Sequence, residues 1–146
     1  MTLRRARPIL IGAAAVAALI VALVVMSVRT RPVRQSVIAF TELLAAANVQ
    51  DLPRARAHCS RRYLADHPLR PAEEGGIVGL PRNMHPNFQA WREGPHVWIC
   101  PTNRVGPIYQ FALEDEAWKF DGPVGLLRGR GQIVLDPELT RPEGVE

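Results

Sequence analysis

Few side chains in this 146-residue chain have the type and spacing to do chemistry. The histidines are His58, His67, His85 and His96. None stands three or four residues from another, the step at which two imidazoles on one helix share a metal, so no metal site is expected. Cys59 and Cys100 are the only cysteines, and neither sits in a C-x-x-C or C-x-x-C-H pattern, which leaves redox and haem attachment without support. Gly75-Gly-Ile-Val-Gly79 is glycine-rich but lacks the Lys-Ser/Thr pair that a phosphate-cradling loop needs. No G-x-S-x-G nucleophile elbow occurs. The remaining constellation is aromatic: Phe88, Trp91, Trp98, Tyr109 and Trp118, with His85, His96, Arg92 and Arg104 close in sequence. Rings with a few polar groups line small-molecule pockets, and His85, Trp91, Arg104 and Tyr109 are the candidate walls. The same rings serve equally as the core of a small domain. No cofactor is implied.

The elements that must position these residues begin with an apolar run. Ile9 to Val28 carries no charge, and eleven of its residues are Leu, Ile or Val. At about 1.5 Å per residue, such a helix spans roughly the 30 Å of a bilayer core. A cleaved signal has an apolar core of about 7–15 residues and ends in small residues. This run is longer and ends Val-Val-Met-Ser-Val-Arg, so it reads as an uncleaved single-pass anchor. Arg4, Arg5 and Arg7 precede it, and Arg29, Arg31 and Arg34 follow, so the positive-inside rule is nearly balanced. A very short charged N-terminal tail stays most often in the cytoplasm, which sets the expected C-terminal domain outside.

Charge is unevenly placed. Residues 35–146 hold eleven Arg and one Lys against fourteen acids, so the basic excess lies in the flanks of the run, where it can meet anionic lipid. A basic patch on the folded part, the electrostatic footprint of nucleic-acid binding, is missing. The organisation is then a basic tail over 1–8, a transmembrane helix over 9–28, a linker over 29–33, one domain over 34–136 and a flexible tail over 137–146.

Within the domain, Val33, Val37, Phe40, Leu44 and Ala47 form one stripe of an amphipathic helix, with Asn48 as a left-handed stop. Asp51 can cap a second helix with Pro53 in its first turn, and Ser60 can recap it. Pro68 to Pro95 carries five Pro and four Gly and reads as a folded irregular segment, with one helical turn around Asn87 to Trp91. Strand patterns follow at His96–Cys100 and Ile108–Leu113. The chain turns at Glu114-Asp-Glu116 and returns through Trp118 and Phe120 to Gly122-Pro123, with weaker strands at Val124–Leu127 and Gln132–Leu135. Helices first and strands afterwards imply an α+β fold, two to three helices on a curved antiparallel β-sheet. Cys59 and Cys100 can bridge if the domain lies outside the membrane, closing a long loop worth about 4 kcal/mol. Two separate buried thiols are the alternative.

The stretches Phe40-Thr-Glu-Leu-Leu-Ala-Ala-Ala-Asn48, Leu52 to Leu64 and Glu114-Asp-Glu-Ala-Trp-Lys-Phe-Asp121 resemble the nuclear transport factor 2-like superfamily of cystatin-like α+β domains. The first two resemble its opening helix, break and second helix, and the third its returning hairpin. The resemblance spans about residues 34 to 136. It implies a single-anchor extracytoplasmic domain that binds a small apolar ligand or an envelope protein partner without chemistry. Its catalytic members set an acid base against an oxyanion donor in an apolar cone, roles in which Asp121 and Tyr109 can be cast. Two function classes therefore stand at this point: a membrane-anchored binding or assembly module, and a small-molecule isomerase or hydro-lyase. Fold alone does not choose between them.

Overall fold

Helix α1 runs Ala6–Asn48 in the computed structural model, which describes residues 6–136. The chain divides into two compact units, Met1–Pro32 and Val33–Glu146. In the first, α1 carries the uncharged run from Ile9 to Val28, and its described side chains from Ala15 to Val28 are exposed. It is the one described helix long and apolar enough to cross a membrane, with a mean hydropathy of 1.8 in its most apolar window. The expected break at 29–33 does not occur: this stretch is helical, with Pro32 inside it. Proline removes one backbone donor, but helix propagation on both sides adds a bond per residue and outweighs one missing link. Thr30 Oγ1 also donates to the Met26 carbonyl at 2.9 Å, tying the turn before the proline. The expected basic tail over 1–8 lies largely outside the described residues, and the tail over 137–146 lies wholly outside them.

In the second unit, α1 buries Ser36, Phe40, Leu43, Leu44, Ala46 and Ala47, the spacing of one helical face. The left-handed stop falls at Gln50 (φ 55°) rather than at Asn48, because the chain first makes the turn Val49–Gln50. Helix α2, Leu52–Ala57, starts where Asp51 accepts a hydrogen bond from the Arg54 amide. Helix α3, Arg61–Asp66, starts where the Ser60 hydroxyl accepts one from the Tyr63 amide at 3.0 Å. Ala55, Cys59 and Tyr63 supply the buried face of this stretch. The proline- and glycine-rich segment that follows is folded, since it buries Leu69, Ile77 and Leu80 in the same core.

The sheet is an antiparallel meander of β1 (Gln89–Glu93), β2 (His96–Cys100), β3 (Gly106–Glu114), β4 (Ala117–Arg128) and β5 (Gln132–Leu135), in that spatial order. It curls as a half-barrel, so the fold is α+β. Two elements differ from the sequence expectation. The expected helical turn at Asn87–Trp91 is mostly strand β1, because Trp91 lies opposite Trp98 across the Gly94-Pro95 turn and cross-strand pairing overrides local bias. Strand β4 passes through Gly122-Pro123 instead of ending there. Two register shifts against β3 absorb that dipeptide, and Gly122 at φ 100° takes a backbone shape that a side chain would strain. A Cβ on Gly122 would also come within 3.0 Å of the Tyr63 ring.

Both sheet faces carry apolar clusters. Val97, Ile99, Phe111, Trp118 and Phe120 pack with the helices. Cys100, Ile108, Val124 and Leu127 form a smaller cluster with Trp91 and Trp98. The alternation of β2 divides its residues between these clusters, since successive side chains leave opposite faces.

Candidate functional site

The polar residues that converge most closely are held at the first β4 irregularity. Register places Gln110 opposite Gly122 and Phe111 opposite Phe120, which leaves Asp121 as the extra residue of a bulge. Its carboxylate is 6% exposed. Ser60 Oγ donates to Oδ1 at 2.5 Å, and Arg62 Nε to the same oxygen at 3.1 Å. Arg62 Nη2 and Gln110 Nε2 donate to Oδ2 at 2.8 and 3.0 Å. Trp98 Nε1 in turn donates to Gln110 Oε1 at 3.1 Å, which fixes that amide. Burial pushes the Asp121 carboxyl up, but the hydrogen bonds from Arg62, Ser60 and Gln110, with the Arg62 charge, together hold it below the ordinary carboxylate value.

This arrangement fastens α3 to the sheet. Beside it, the Ser60 amide donates to the Phe120 carbonyl and the Phe120 amide to the His58 carbonyl, both at 2.8 Å. Cys59 thereby forms a parallel bridge that covers the edge of β4. A cleft of 40 Å³ lies at Asp121, between Arg62, Tyr63, Asp66, His67, Gly122 and Pro123. An ionised carboxylate whose oxygens already accept four hydrogen bonds is a poor general base. Tyr109, its proposed counterpart, packs between the rings of Phe40 and Phe120 at centroid distances of 6.3 and 5.5 Å. Its hydroxyl is pushed up by burial and by the nearby Cys100.

The four candidate pocket walls are not brought together. Trp91 stacks edge-on against Trp98 in the smaller cluster, whereas Tyr109 packs on the helix-bearing side. His85 is exposed, and its Nδ1 accepts from the Asn87 amide at 3.0 Å, closing a local turn. Arg104 is exposed in the β2–β3 turn at φ 64°. His58 has its imidazole pushed down by burial, an effect that Glu42 opposes from 3.4 Å. Among the described residues no three His, Cys, Asp or Glu converge as a metal site.

The bridge between Cys59 and Cys100 is not formed. Both thiols are free and buried, Cys59 in the main cluster and Cys100 in the smaller one. Burial, opposed by Lys119, pushes the Cys59 thiol up to about 12, which disfavours the reactive thiolate.

An open site lies at the far end of the sheet. Pro107, Leu126 and Val134 are cross-strand partners on β3, β4 and β5, so they share one face. By alternation from Tyr109 that face is the helix-bearing one, yet Leu126 and Val134 are exposed. With Pro123, Gly125, Leu135 and Asp136 they line a groove of 420 Å³. That lies within the range of small-ligand and side-chain pockets, about 300–1,000 Å³. Gly125 lets β5 approach: a Cβ there would lie against the Val134 carbonyl and 3.0 Å from the Leu135 Cα. Sequence reasoning placed these residues in or beside strands and named none of them as a site residue. The available signal was the unbroken Ile133-Val134-Leu135, which a half-buried strand would alternate with polar residues.

The fold and groove define an α+β domain of helices on a five-stranded meander, behind a helix of membrane-spanning length. No protein family, curated protein or solved structure matches the chain.

Proposed function

We propose that this protein is a membrane-anchored, non-catalytic binding and assembly module, and that the uncovered groove at the end of β3, β4 and β5 is its docking surface. The groove is the observation that carries the reading. It is apolar, built on strands rather than loops, and left open by the helices that cover the neighbouring core. The chemistry of Asp121 favours the same reading over an isomerase or hydro-lyase, because its hydrogen-bonding capacity is spent on Ser60, Arg62 and Gln110.

Length and hydropathy support an anchor in α1, and the domain behind it is read as extracytoplasmic. Helices followed by an antiparallel meander support membership of the nuclear transport factor 2-like superfamily. The occupant is an apolar ligand or an envelope protein.

A photo-crosslinking residue at Leu126, in full-length protein in its native membrane, tests this. The expected result is a discrete adduct that disappears when the probe is moved to Glu73, away from the groove. Equal, diffuse labelling from both positions overturns the reading.

A further inference from the structure

A separate cavity lies where the proline- and glycine-rich segment folds back on itself. Pro71 pairs with Ile77 in an antiparallel bridge. The Val78 amide donates to the Arg70 carbonyl at 2.9 Å, and the Ala72 amide to the Gly76 carbonyl at 3.1 Å. Two anchors hold this hairpin in place. Ile77 is buried in the main core, and Gln50, in the turn after α1, donates through Nε2 to the Ala72 and Gly76 carbonyls at 2.9 and 3.2 Å. The tip that carries Glu73 and Glu74 is therefore fixed at both of its ends. Arg82 returns alongside it: a Cβ on Gly76, which sits at φ 79°, would stand 3.3 Å from Arg82 Nε. Arg70, Arg82, Glu73 and Glu74, with Pro71 and Val78, line an open cavity of 530 Å³. None of these residues borders the β3–β5 groove.

Among the described residues, none of these four charged side chains makes a hydrogen bond or an ion pair. Arg61 shows the contrast, pairing with Glu114 and Asp115 at 2.8 and 2.7 Å. Two cations and two anions thus line one cavity with their charges unspent. A ligand with negative charge alone is drawn by the arginines and repelled by the glutamates, and a purely positive one the reverse. A molecule that carries both charges meets no such repulsion. We propose that this cavity binds a short peptide as a zwitterion, its terminal carboxylate at Arg70 and Arg82 and its terminal ammonium at Glu73 and Glu74. Its apolar side chains lie against Pro71 and Val78. A guanidinium matches a carboxylate in bidentate geometry. Two or three residues span about 7–10 Å, at roughly 3.3–3.6 Å each, which separates the two ends on the scale of such a cavity. The volume lies within the range of small-ligand sites, about 300–1,000 Å³. The pinned hairpin lowers the ordering cost of binding. This site is additional to the docking groove and does not depend on it.

The test titrates trialanine into the full chain in a non-ionic detergent, which offers no competing charge, and follows backbone amide NMR shifts. The expected result is saturable shifts confined to residues 70–82, with a Kd on the order of 1 mM, since exposed charge pairs each contribute little. N-acetyl-trialanine lacks the ammonium and trialanine amide lacks the carboxylate, so each should bind about fivefold more weakly or worse. These comparisons alter the ligand and leave the fold untouched. The variants alter exposed side chains, so the thermal midpoint should stay unchanged. Arg70→Gln with Arg82→Gln should lose trialanine binding. Glu73→Gln with Glu74→Gln should weaken trialanine yet bind N-acetyl-trialanine more tightly than wild type does, because the repulsion is gone. Shifts outside residues 70–82, or none, overturn the proposal. So does equal binding of trialanine and its acetylated form, or wild-type affinity in the double arginine variant. Phosphoethanolamine carries both charges a few bonds apart and stands for a lipid headgroup; tighter binding of it than of trialanine overturns the peptide assignment.

Discussion

Removing the Asp121 carboxylate separates a structural clasp from a catalytic acid. In Asp121→Ala four side-chain hydrogen bonds vanish, from Ser60, Gln110 and twice from Arg62. Their costs differ with exposure. Ser60 is 2% exposed and keeps its role as acceptor for the Tyr63 amide, but its hydroxyl proton loses its acceptor. An orphaned buried donor costs about 1–3 kcal/mol. The Arg62 side chain is 46% exposed, so water recovers much of its solvation and its pair counts for less than a buried one. Gln110 is half-buried and contributes a further ~0.5–1 kcal/mol. The sum is a loss of about 2–4 kcal/mol, a large part of the ~5–15 kcal/mol that such a domain has. Urea unfolding of the full chain in detergent, followed by tryptophan fluorescence, measures it. The folded carboxyl sits below its unfolded value of about 3.9. Its contribution is therefore complete above that pH and is lost as pH falls towards the folded value. The wild type should show this acid limb, and Asp121→Ala a shallower one. A loss under ~1 kcal/mol, or an unchanged acid limb, would refute the clasp.

Ser36 gives the opposite sign. Its hydroxyl is buried on α1 and is the one described buried side-chain polar atom without a partner. Ser36→Ala should stabilise by about 1–2 kcal/mol, seen as a rise in denaturation midpoint, since it removes an orphan and improves helix propensity. Gly125→Ala should displace β5 against the Val134 carbonyl and cost about 1–3 kcal/mol. Hydrogen exchange should rise at residues 132–135 and stay slow in β2. Both thiols should react with Ellman's reagent only on unfolding, giving two per chain without reductant. Cys59 and Tyr63 are both raised to about 12 by burial, from 9.0 and 10.0. Stability is therefore complete below pH 9 and should fall between pH 9 and 12, where the unfolded chain releases these protons first. A flat midpoint across that range would contradict the burial.

Much of the architecture was legible because its signals are local. The apolar run needs only composition, and the caps at Asp51 and Ser60 need only a polar side chain ahead of a helical segment. Strand β5 was bounded correctly from Gln132 to Leu135, since glycine punctuates its start and proline its end. Strand β1 was misread because its reason for being a strand is β2, which lies after it in the chain. Pro32 and Gly122-Pro123 were both read as breaks, and both are absorbed, one by helix propagation and the other by a bulge.

The candidate site divides along the same line. By itself the sequence determined that a twenty-residue apolar segment precedes a small, slightly acidic α+β domain without a recognisable catalytic motif, because composition and period are properties of neighbours. Only the tertiary structure decided what Asp121 is. Its partners lie 61, 59 and 11 positions away, and no local pattern announces them. It also decided that Trp91 and Tyr109 face different clusters, that the cysteines stay apart, and that Leu126 and Val134 border an open groove. Strand alternation and register set these outcomes, and a shift of one residue would reverse them.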